Sequence, residues 1–304
     1  MATLIRASTL VLKNRVANKS EIVTQLPKPA PRVLRARIPL NLWIGGIIVA
    51  ALLTIALIAP FIAPYAPDKV MAGARLAPPS FDFLFGTDAL GRDMFSRVLH
   101  GTRLAVWTML LGVSIAAALG VVPGLIAGYA GGWVEQVLSR GMEIGLAFPG
   151  LLLALIIVAR LGPSLDNAII ALGIISAPGF YRLARAQTIS ARKLLYVDAA
   201  RSIGASDARI LFRHIAPNLL SSLIVILTTR AGMLLLASGG LSFVGLGAQL
   251  PMPEWGALLA SGRNYLDTAP WLAIFPGLCI TMAVVGANLL GDGLRDALDP
   301  YRKL

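Results

Sequence analysis

Long stretches without a charged residue dominate this chain and restrict the folds that it can adopt. Residues 38–67 and 104–134 contain no Asp, Glu, Lys or Arg. Four further apolar stretches follow, at residues 144–159, 167–181, 219–241 and 268–290. A helix needs about 20 residues to cross a hydrocarbon layer of about 30 Å, and in lipid helices are the only open-ended structures that satisfy their own backbone hydrogen bonds. The sequence therefore predicts an all-α, polytopic membrane protein with six transmembrane helices.

Two of the six stretches are short, and charged residues stand at their ends. Glu143 and Arg160 flank the third stretch, and Arg182 follows the fourth. Long side chains of this kind extend their apolar stems along the helix and keep the charged groups at the interface. Both stretches are therefore counted as membrane spans.

The composition agrees with this class of protein. Of 304 residues, 57% are hydrophobic and 14% are charged, whereas soluble domains carry about 25% charged residues. Cys279 is the only cysteine, so no disulfide framework can form within one chain, and we expect no metal site. The first apolar stretch begins near Leu40, after a tail with eight basic residues, which is too late for a cleaved secretory signal.

Basic residues are distributed unequally between the two sides of the predicted bundle. If the N-terminus is cytoplasmic, the cytoplasmic pieces hold nineteen of the 27 Lys and Arg residues and eight of the 15 Asp and Glu residues. The opposite side holds seven of each sign. This positive-inside asymmetry places both termini in the cytoplasm. The net charge of +12 then reflects topology and attraction to anionic membrane lipid, and no nucleic-acid-binding motif accompanies it.

A polar segment between the fourth and fifth spans, residues 182–217, is the longest predicted cytoplasmic loop between spans. Gly204 is suited to the left-handed conformation that ends a first short helix, and Ser206 is placed to cap the start of a second. Ala199 and Ala200 have small side chains, so another surface can approach the helix closely. The residues alone leave two interpretations open: an amphipathic helix that rests on lipid, or a docking element for a protein partner.

The spacing of Asp198-Ala199-Ala200, Gly204 and Pro217 resembles the loop shared by permease subunits of bacterial ABC importers. That loop usually reads Glu-Ala-Ala, then a glycine, then a short apolar group that ends in proline. Asp198 keeps the charge of the usual glutamate, and two residues of the apolar group depart from the pattern.

Further segments resemble one branch of that family, the dipeptide and oligopeptide permeases, and look most like their second, C-type subunit. These segments are FGTDALGRDMFSRVLHGTRL at 85–104, GYAGGWVEQVLSR at 128–140, LSFVGLGAQLPMPEWG at 241–256 and NLLGDGLRDALDP at 288–300. The resemblance covers about residues 40–304.

This resemblance implies the fold of a type I ABC importer permease. Residues 1–39 would form a cytoplasmic N-terminal tail, residues 40–64 the first transmembrane helix and residues 65–103 an extracytoplasmic segment. Residues 104–304 would form the core permease domain, with five transmembrane helices and a coupling loop at about 186–217.

The resemblance also implies that this chain is not an enzyme. It contains no G-x-x-x-x-G-K-[ST] loop, and hence no Walker A site for nucleotide phosphates. We expect no cofactor in this chain, with ATP and Mg²⁺ bound by two partner ABC ATPase subunits. A homologous second permease subunit, an extracytoplasmic solute-binding protein and membrane lipid are the other implied partners.

In the family, the Glu-Ala-Ala-type loop forms a coupling helix that docks into an ATPase subunit. By resemblance, this helix spans residues 198–203, Gly204 sets the angle to the next helix at a buried joint, and Arg209 pairs with an acidic group across the interface. The implied coupling residues are Asp198, Ala199, Ala200, Arg201, Ile203, Gly204, Ala205, Arg209 and Pro217.

Glycine and aspartate residues ahead of the second span predict an ordered turn with paired charges. They are Gly86, Asp88, Gly91, Arg92 and Asp93. Two roles are open, packing across the mouth of the channel and contact with a solute-binding protein. Gly and Asp in such patterns most often build turns, which favours the structural role.

Arg230 is the only charged residue deep within a predicted span. Charges in that position are costly, so an inward-facing or functional place is the default interpretation. With Ser221, Ser222 and Thr228 it predicts a polar translocation path along the fifth span. Snorkelling, or an ion pair with the partner permease, is the alternative.

These features together predict a permease subunit of an ATP-driven, binding-protein-dependent importer of di- and oligopeptides in the bacterial inner membrane. Glutathione, a nickel chelate or another small solute is the alternative substrate, because selectivity in such importers resides largely in the binding protein. A membrane enzyme is disfavoured, because His100 and His214 lie on opposite sides of the predicted topology. A secondary transporter or channel is compatible with six helices, but the sequence shows no internal repeat.

Overall fold

The structure, a computed structural model, describes residues 39–298 and contains helices but no named strand in that range. The helices are α1 (Leu40–Ile62), α2 (Met94–Ala130), α3 (Gly132–Leu146), α4 (Gly150–Leu161), α5 (Leu165–Ala191), α6 (Leu195–Ser202), α7 (Asp207–Arg209), α8 (Ala216–Phe243), α9 (Trp255–Gly262) and α10 (Trp271–Leu298). A π-helical turn, Ile210–Ile215, joins α7 to α8, and a 3₁₀ turn, Arg263–Tyr265, follows α9. The predicted tail lies outside the described residues apart from Pro39.

Five helical stretches in residues 39–298 are long and apolar enough to cross a membrane, and counting the bent pair α3 and α4 as one span gives six. The predicted all-α fold with six spans is therefore confirmed. In this count α7, the π turn and α8 form one continuous stretch, Asp207–Phe243.

Helices α2 and α5 share the most extensive contact of any helix pair in residues 39–298, and three glycines permit their approach. Gly120, Gly124 and Gly128 recur every fourth residue along α2 and face the backbone of α5. A methyl group on Gly124 would lie 2.6 Å from the carbonyl oxygen of Tyr181, closer than real contacts allow. Small residues at such interfaces are the usual means of packing helices tightly in lipid, where burial of apolar surface supplies little driving force.

The third predicted span contains a break that the sequence analysis did not place. Helices α3 and α4 meet at a bend of 87°, and Pro149 caps the start of α4. Proline lacks a backbone N–H and disfavours the helical conformation of the residue before it, which agrees with the interruption at residues 147–149. No residue of α3 is buried within the described chain, and its apolar side chains, among them Trp133 and Val137, face outward.

Two spans are longer than the apolar stretches that predicted them. Helix α2 begins at Met94, inside the segment predicted to be extracytoplasmic, because the Asp93 carboxylate accepts a hydrogen bond of 2.9 Å from the backbone N–H of Ser96 and caps the helix there. Helix α5 continues to Ala191, well past residue 181, because residues 182–191 contain no glycine or proline. The loop predicted from residue 182 is therefore helical in its first part.

Pro217, which was expected to mark the entry to the fifth span, lies in the first turn of α8, although the helical stretch long enough to cross a membrane already begins at Asp207. A proline in that position would clash with the carbonyl group of residue 213 in a regular α-helix. The π-helical turn Ile210–Ile215 directly precedes it and widens the helix at that point. Helix α8 then starts at Ala216, with the proline in its first turn, where no N–H is required.

Candidate functional site

Residues 192–215, here called the interspan segment, form two short helices joined by a tight turn. Helix α6 ends in the two hydrogen bonds of a Schellman motif. The Ala205 N–H donates to the Ala200 carbonyl at 3.1 Å, and the Gly204 N–H donates to the Arg201 carbonyl at 3.0 Å. Gly204 has a φ of +80°, in the left-handed region that favours glycine. The predicted helix end at Gly204 is thus observed. Ser206 occupies the predicted cap position of α7, but its side chain makes no capping hydrogen bond.

One face of the interspan segment is buried against the helix bundle. Val197 and Ala200 of α6 pack with Ile210 and Ile215, and their cluster includes Leu125 of α2. Val197, Ile210 and Ile215 are fully enclosed. The segment is therefore an ordered part of the fold, which agrees with the docking interpretation better than with a loosely attached interfacial helix.

The opposite face of α6 carries apolar side chains that are largely exposed in residues 39–298. Leu195 and Ile203 are each 86% exposed, and Ala199 between them is also exposed. These three residues, here called the outer stripe, recur every fourth residue and so share one side of the helix. Asp198 and Arg201 flank the stripe as a loose ion pair of 3.8 Å.

The structure corrects the predicted contact pair of Ala199 and Ala200. Ala200 is buried in its own chain, so it cannot form the surface that meets a partner. Adjacent positions of a helix point about 100° apart, and only Ala199 faces outward. The predicted buried joint at Gly204 is also not buried here, since a side chain at this position would meet nothing within 4 Å. Ala205, by contrast, packs partly against the buried cluster.

Charged and polar groups fix the interspan segment to α2. The Tyr129 hydroxyl donates a hydrogen bond of 2.6 Å to the carboxylate of Asp207, and Arg192 donates one of 2.6 Å to the Tyr129 carbonyl oxygen. Interaction with the nearby Tyr129 side chain raises the pKa of Arg201. Arg209 is exposed and has no ion pair within residues 39–298.

The four predicted path residues do not line one surface. Ser221 and Ser222 border a cleft of about 440 Å³ between α5, α8 and α10. Thr228 instead borders an apolar groove near α1, and its hydroxyl donates to the Val225 carbonyl at 2.8 Å. Arg230 is exposed on α8 and extends toward Gly179 of α5, where an added methyl group would lie 3.7 Å from its Nη2.

The predicted turn ahead of α2 is a network of buried and mostly hydrogen-bonded groups. Asp88 accepts hydrogen bonds from Arg92 Nε at 2.6 Å and from the backbone N–H groups of Leu90 and Arg92 at 2.8 and 2.9 Å. Asp88, Arg92 and Asp93 are all buried. Gly86 and Gly91 both adopt φ of +70°. Because the charged groups are used within the turn, the geometry favours the structural role over contact with a binding protein.

Comparison with known proteins identifies the architecture that carries these elements. Residues 120–303 match the model of the family described as the binding-protein-dependent transport system inner membrane component. The chain belongs to this family. Residues 42–79 match the N-terminal transmembrane domain of oligopeptide transport permease C, so the predicted C-type permease of the oligopeptide branch, with its type I fold, is confirmed.

Named relatives of this permease align with most of its length. The dipeptide transport system permease protein of Alkalihalophilus pseudofirmus is 45% identical over 260 residues, which cover 86% of each chain. The glutathione transport system permease protein of Pectobacterium atrosepticum is 45% identical over 260 residues, covering 85% of this chain and 86% of the relative. The corresponding glutathione permease of Escherichia coli O6:K15:H31 is 46% identical with the same coverage.

Three features of the permease were not predicted from the sequence. The first is the place of Leu195 in the outer stripe, although its four-residue spacing from Ala199 and Ile203 indicates that the three residues share one helix face. The second is the glycine repeat of α2, whose four-residue spacing also indicates one helix face. The contact of Tyr129 with Asp207 had no local signal, because the two residues are 78 positions apart.

Proposed function

We propose that this permease subunit forms part of the translocation pathway of an ATP-driven importer of short peptides, and that α6 is its coupling helix. In this proposal the interspan segment and both termini face the cytoplasm. Two ABC ATPase subunits dock at the cytoplasmic side, and a homologous permease completes the pathway. A solute-binding protein delivers the peptide from the opposite side.

The outer stripe is the observation that carries this proposal. Large apolar side chains at 86% exposure are unfavourable in water, and burying each against a partner contributes about 1.5–3 kcal/mol. The inner face of the same helix is anchored in the bundle. A movement imposed on the stripe would therefore be transmitted to α2 and α8 rather than absorbed by a flexible loop.

The orientation is supported by the distribution of charge. In the predicted topology, nineteen of the 27 basic residues fall on the side of the interspan segment, against seven on the other side. This bias is the positive-inside pattern. Basic residues also attract anionic lipid, so the charge bias alone does not decide between a docking helix and a helix that rests on lipid.

The substrate class is supported by the names of the relatives. One is a dipeptide permease and two are glutathione permeases, and glutathione is itself a tripeptide. Both substrates are short, polar and carry free carboxylates. We therefore propose that the cargo is a peptide of two or three residues.

The test uses the complete transporter, reconstituted with its second permease, ATPases and binding protein. Cys279 is the only cysteine, so Cys279→Ala gives a background for single cysteines. Ile203→Cys is expected to cross-link to an ATPase subunit with a short bifunctional reagent. Met233→Cys, at an exposed position in the middle of α8, is the matched control and is expected to give no ATPase adduct.

Two results would contradict the proposal. If Ile203→Cys is labelled by a lipid-embedded probe and forms no ATPase adduct, α6 rests on lipid and is not the coupling helix. If proteoliposomes that hydrolyse ATP in response to the loaded binding protein accumulate neither a dipeptide nor glutathione, the substrate class is wrong.

A further inference from the structure

A cleft at one end of the bundle combines a cation with hydrogen-bonding groups, none of which has a partner among residues 39–298. It lies between α5, α8 and α10, has a volume of about 440 Å³, and is here called the Arg295 cleft. Its lining residues are Gln187, Ser221, Ser222, Val225, Ile226, Arg295 and Leu298. This volume falls within the range of about 300–1,000 Å³ that is typical of small-molecule sites.

The polar groups of the Arg295 cleft are unused within the described part of the chain. Serines in helices commonly donate to the carbonyl four residues back, as Ser190 and Ser202 do here at 3.2 and 2.9 Å. Neither Ser221 nor Ser222 makes such a bond among residues 39–298. The Gln187 side-chain oxygen is buried and also accepts no hydrogen bond. Buried polar groups are normally paired, so the unpaired Gln187 oxygen, beside two partly exposed serine hydroxyls without a partner in residues 39–298, indicates a polar ligand at this cleft.

Arg295 gives the cleft its charge. Its guanidinium group has no ion pair within residues 39–298, and no Asp or Glu is among the lining residues. The remaining wall is apolar, formed by Val225, Ile226 and Leu298. A planar guanidinium group prefers a carboxylate, which it can bind through two parallel hydrogen bonds.

A neighbouring polar cleft serves as a comparison and lacks this property. It is lined by Glu135, Arg140, Glu143 and Arg185 among others. There the charges cancel, since Arg185 Nε donates to Glu135 at 2.7 Å and Arg140 lies 3.3 Å from Glu143. Of these two clefts, the Arg295 cleft is the one whose lining, within residues 39–298, contains a cation and no carboxylate.

We propose that the Arg295 cleft binds the free α-carboxylate of a short peptide as the peptide leaves the pathway. Arg295 would hold the carboxylate, the two serine hydroxyls would donate to its oxygens or to the peptide carbonyl, and Gln187 would complete the polar wall. The apolar residues would contact the peptide side chain. This inference rests on the proposed function, because it needs a peptide cargo and a cytoplasmic position of the cleft.

The test measures protection of a single cysteine in the complete transporter, held in nanodiscs of zwitterionic lipid. Ile226→Cys in the Cys279→Ala background places the thiol on the cleft wall without removing a polar group. Saturating dialanine is expected to slow labelling by a water-soluble thiol reagent about threefold or more. Dialanine amide, which lacks the carboxylate, is expected to give no protection. Val137→Cys, on the neighbouring cleft, is the control position and is expected to be unaffected by either compound.

Variants of Arg295 decide whether the cation is responsible. Protection by dialanine is expected to disappear with Arg295→Gln and to persist, though weakened, with Arg295→Lys. The lysine variant shows that the complex assembles with a substituted residue at this place. Equal protection by the amide, or unchanged protection with Arg295→Gln, would overturn the proposal.

Two further measurements distinguish a peptide site from a lipid site and separate the site from the transport activity. If nanodiscs with anionic lipid show slow labelling without any peptide, and dialanine adds nothing, the cleft holds a lipid headgroup and the proposal fails. ATP-driven uptake by the same complex tests the proposed function independently. Uptake without protection overturns the carboxylate site alone, whereas protection without uptake overturns the transport of that peptide and leaves the site standing.

Discussion

The Tyr129 hydroxyl, at the end of α2, donates a hydrogen bond of 2.6 Å to the carboxylate of Asp207, the first residue of α7. The two residues are 78 positions apart in the sequence. Arg192 donates a hydrogen bond to the Tyr129 carbonyl oxygen, and Arg201 interacts with the Tyr129 side chain. The outer stripe is thereby tied to the helix that packs most closely on α5. If α6 couples ATPase movement to the spans, this contact is one of the points through which the movement passes.

Tyr129→Phe is expected to reduce coupled transport without preventing assembly. The substitution removes one hydrogen bond, worth about 1 kcal/mol at a position accessible to water, or roughly a fivefold change in an equilibrium. Peptide uptake per ATP hydrolysed by the reconstituted transporter is expected to fall by a comparable factor. Tyr196→Phe is the matched control, because the buried Tyr196 hydroxyl has no hydrogen-bond partner in the described part of the chain, so its removal breaks no bond there. Equal uptake ratios in the two variants would show that the Tyr129 contact plays no part in coupling.

Gly204→Asp is expected to leave membrane insertion intact and to uncouple ATP hydrolysis from transport. A side chain at φ of +80° costs about 1–2 kcal/mol of backbone strain, and the turn between α6 and α7 would shift. The space around Gly204 is open in this chain, so the added charge would project toward whatever docks on α6. Gly204→Asn is expected to retain more coupling, because asparagine occupies the left-handed region as aspartate does but adds no charge.

Gly245→Asp supplies the control for this strain. Gly245 has nearly the same φ, +84°, and equally open surroundings. It follows the C-terminal end of α8, however, whereas the interspan segment precedes the N-terminal end. The ATPase rate and peptide uptake of each variant are measured together in proteoliposomes. Normal coupling in Gly204→Asp, or an equal defect in Gly245→Asp, would remove Gly204 from the coupling mechanism.

The sequence predicted those parts of the permease that depend on local pattern. The spans follow from hydropathy, and the helix end at Gly204 follows from the conformational freedom of glycine. The side of α6 that faces outward could not be assigned, because both alanines are small and only the packing of Val197 and Ile210 shows that Ala200 is covered. Thr228 was grouped with Ser221 by polarity, although the structure places it on a different surface.

Glu254 is expected to make the stability of the permease depend on pH. It caps α9, where its carboxylate accepts a hydrogen bond of 2.9 Å from the Ala257 N–H, and it is 2% exposed. Burial raises the pKa of Glu254 above its ordinary value of 4.5. A raised pKa means that the folded state binds the proton more tightly than the unfolded state does. The stabilisation is therefore complete below about pH 4.5 and is lost as the pH rises through the raised pKa.

Thermal unfolding of the purified permease, followed over a pH series that starts below the ordinary pKa of 4.5 and extends upward, measures the effect. Glu254→Gln keeps a capping oxygen but cannot ionise, so its Tm is expected to exceed that of the wild type increasingly as the pH rises. Glu143→Gln, at an exposed carboxylate, is expected to run parallel to the wild type. A constant difference between Glu254→Gln and the wild type across the range would show that Glu254 does not titrate in this window.

Gly124→Leu is expected to prevent correct assembly of the bundle. Even the Cβ atom would lie 2.6 Å from the Tyr181 carbonyl oxygen and 2.9 Å from the Ala184 side chain, so α2 and α5 must separate. Overpacking of this kind costs about 1–3 kcal/mol in ordinary cores, and more here because the obstacle is backbone that cannot change rotamer. Because α2 carries Tyr129, the separation would also displace the interspan segment.

Gly240→Leu is the control, since a side chain at this glycine of α8 meets nothing within 4 Å. The fraction of monodisperse protein after detergent extraction is expected to fall sharply for Gly124→Leu and to stay near the wild-type level for Gly240→Leu. Equal yields of the two variants would mean that the close contact between α2 and α5 is not required for the fold.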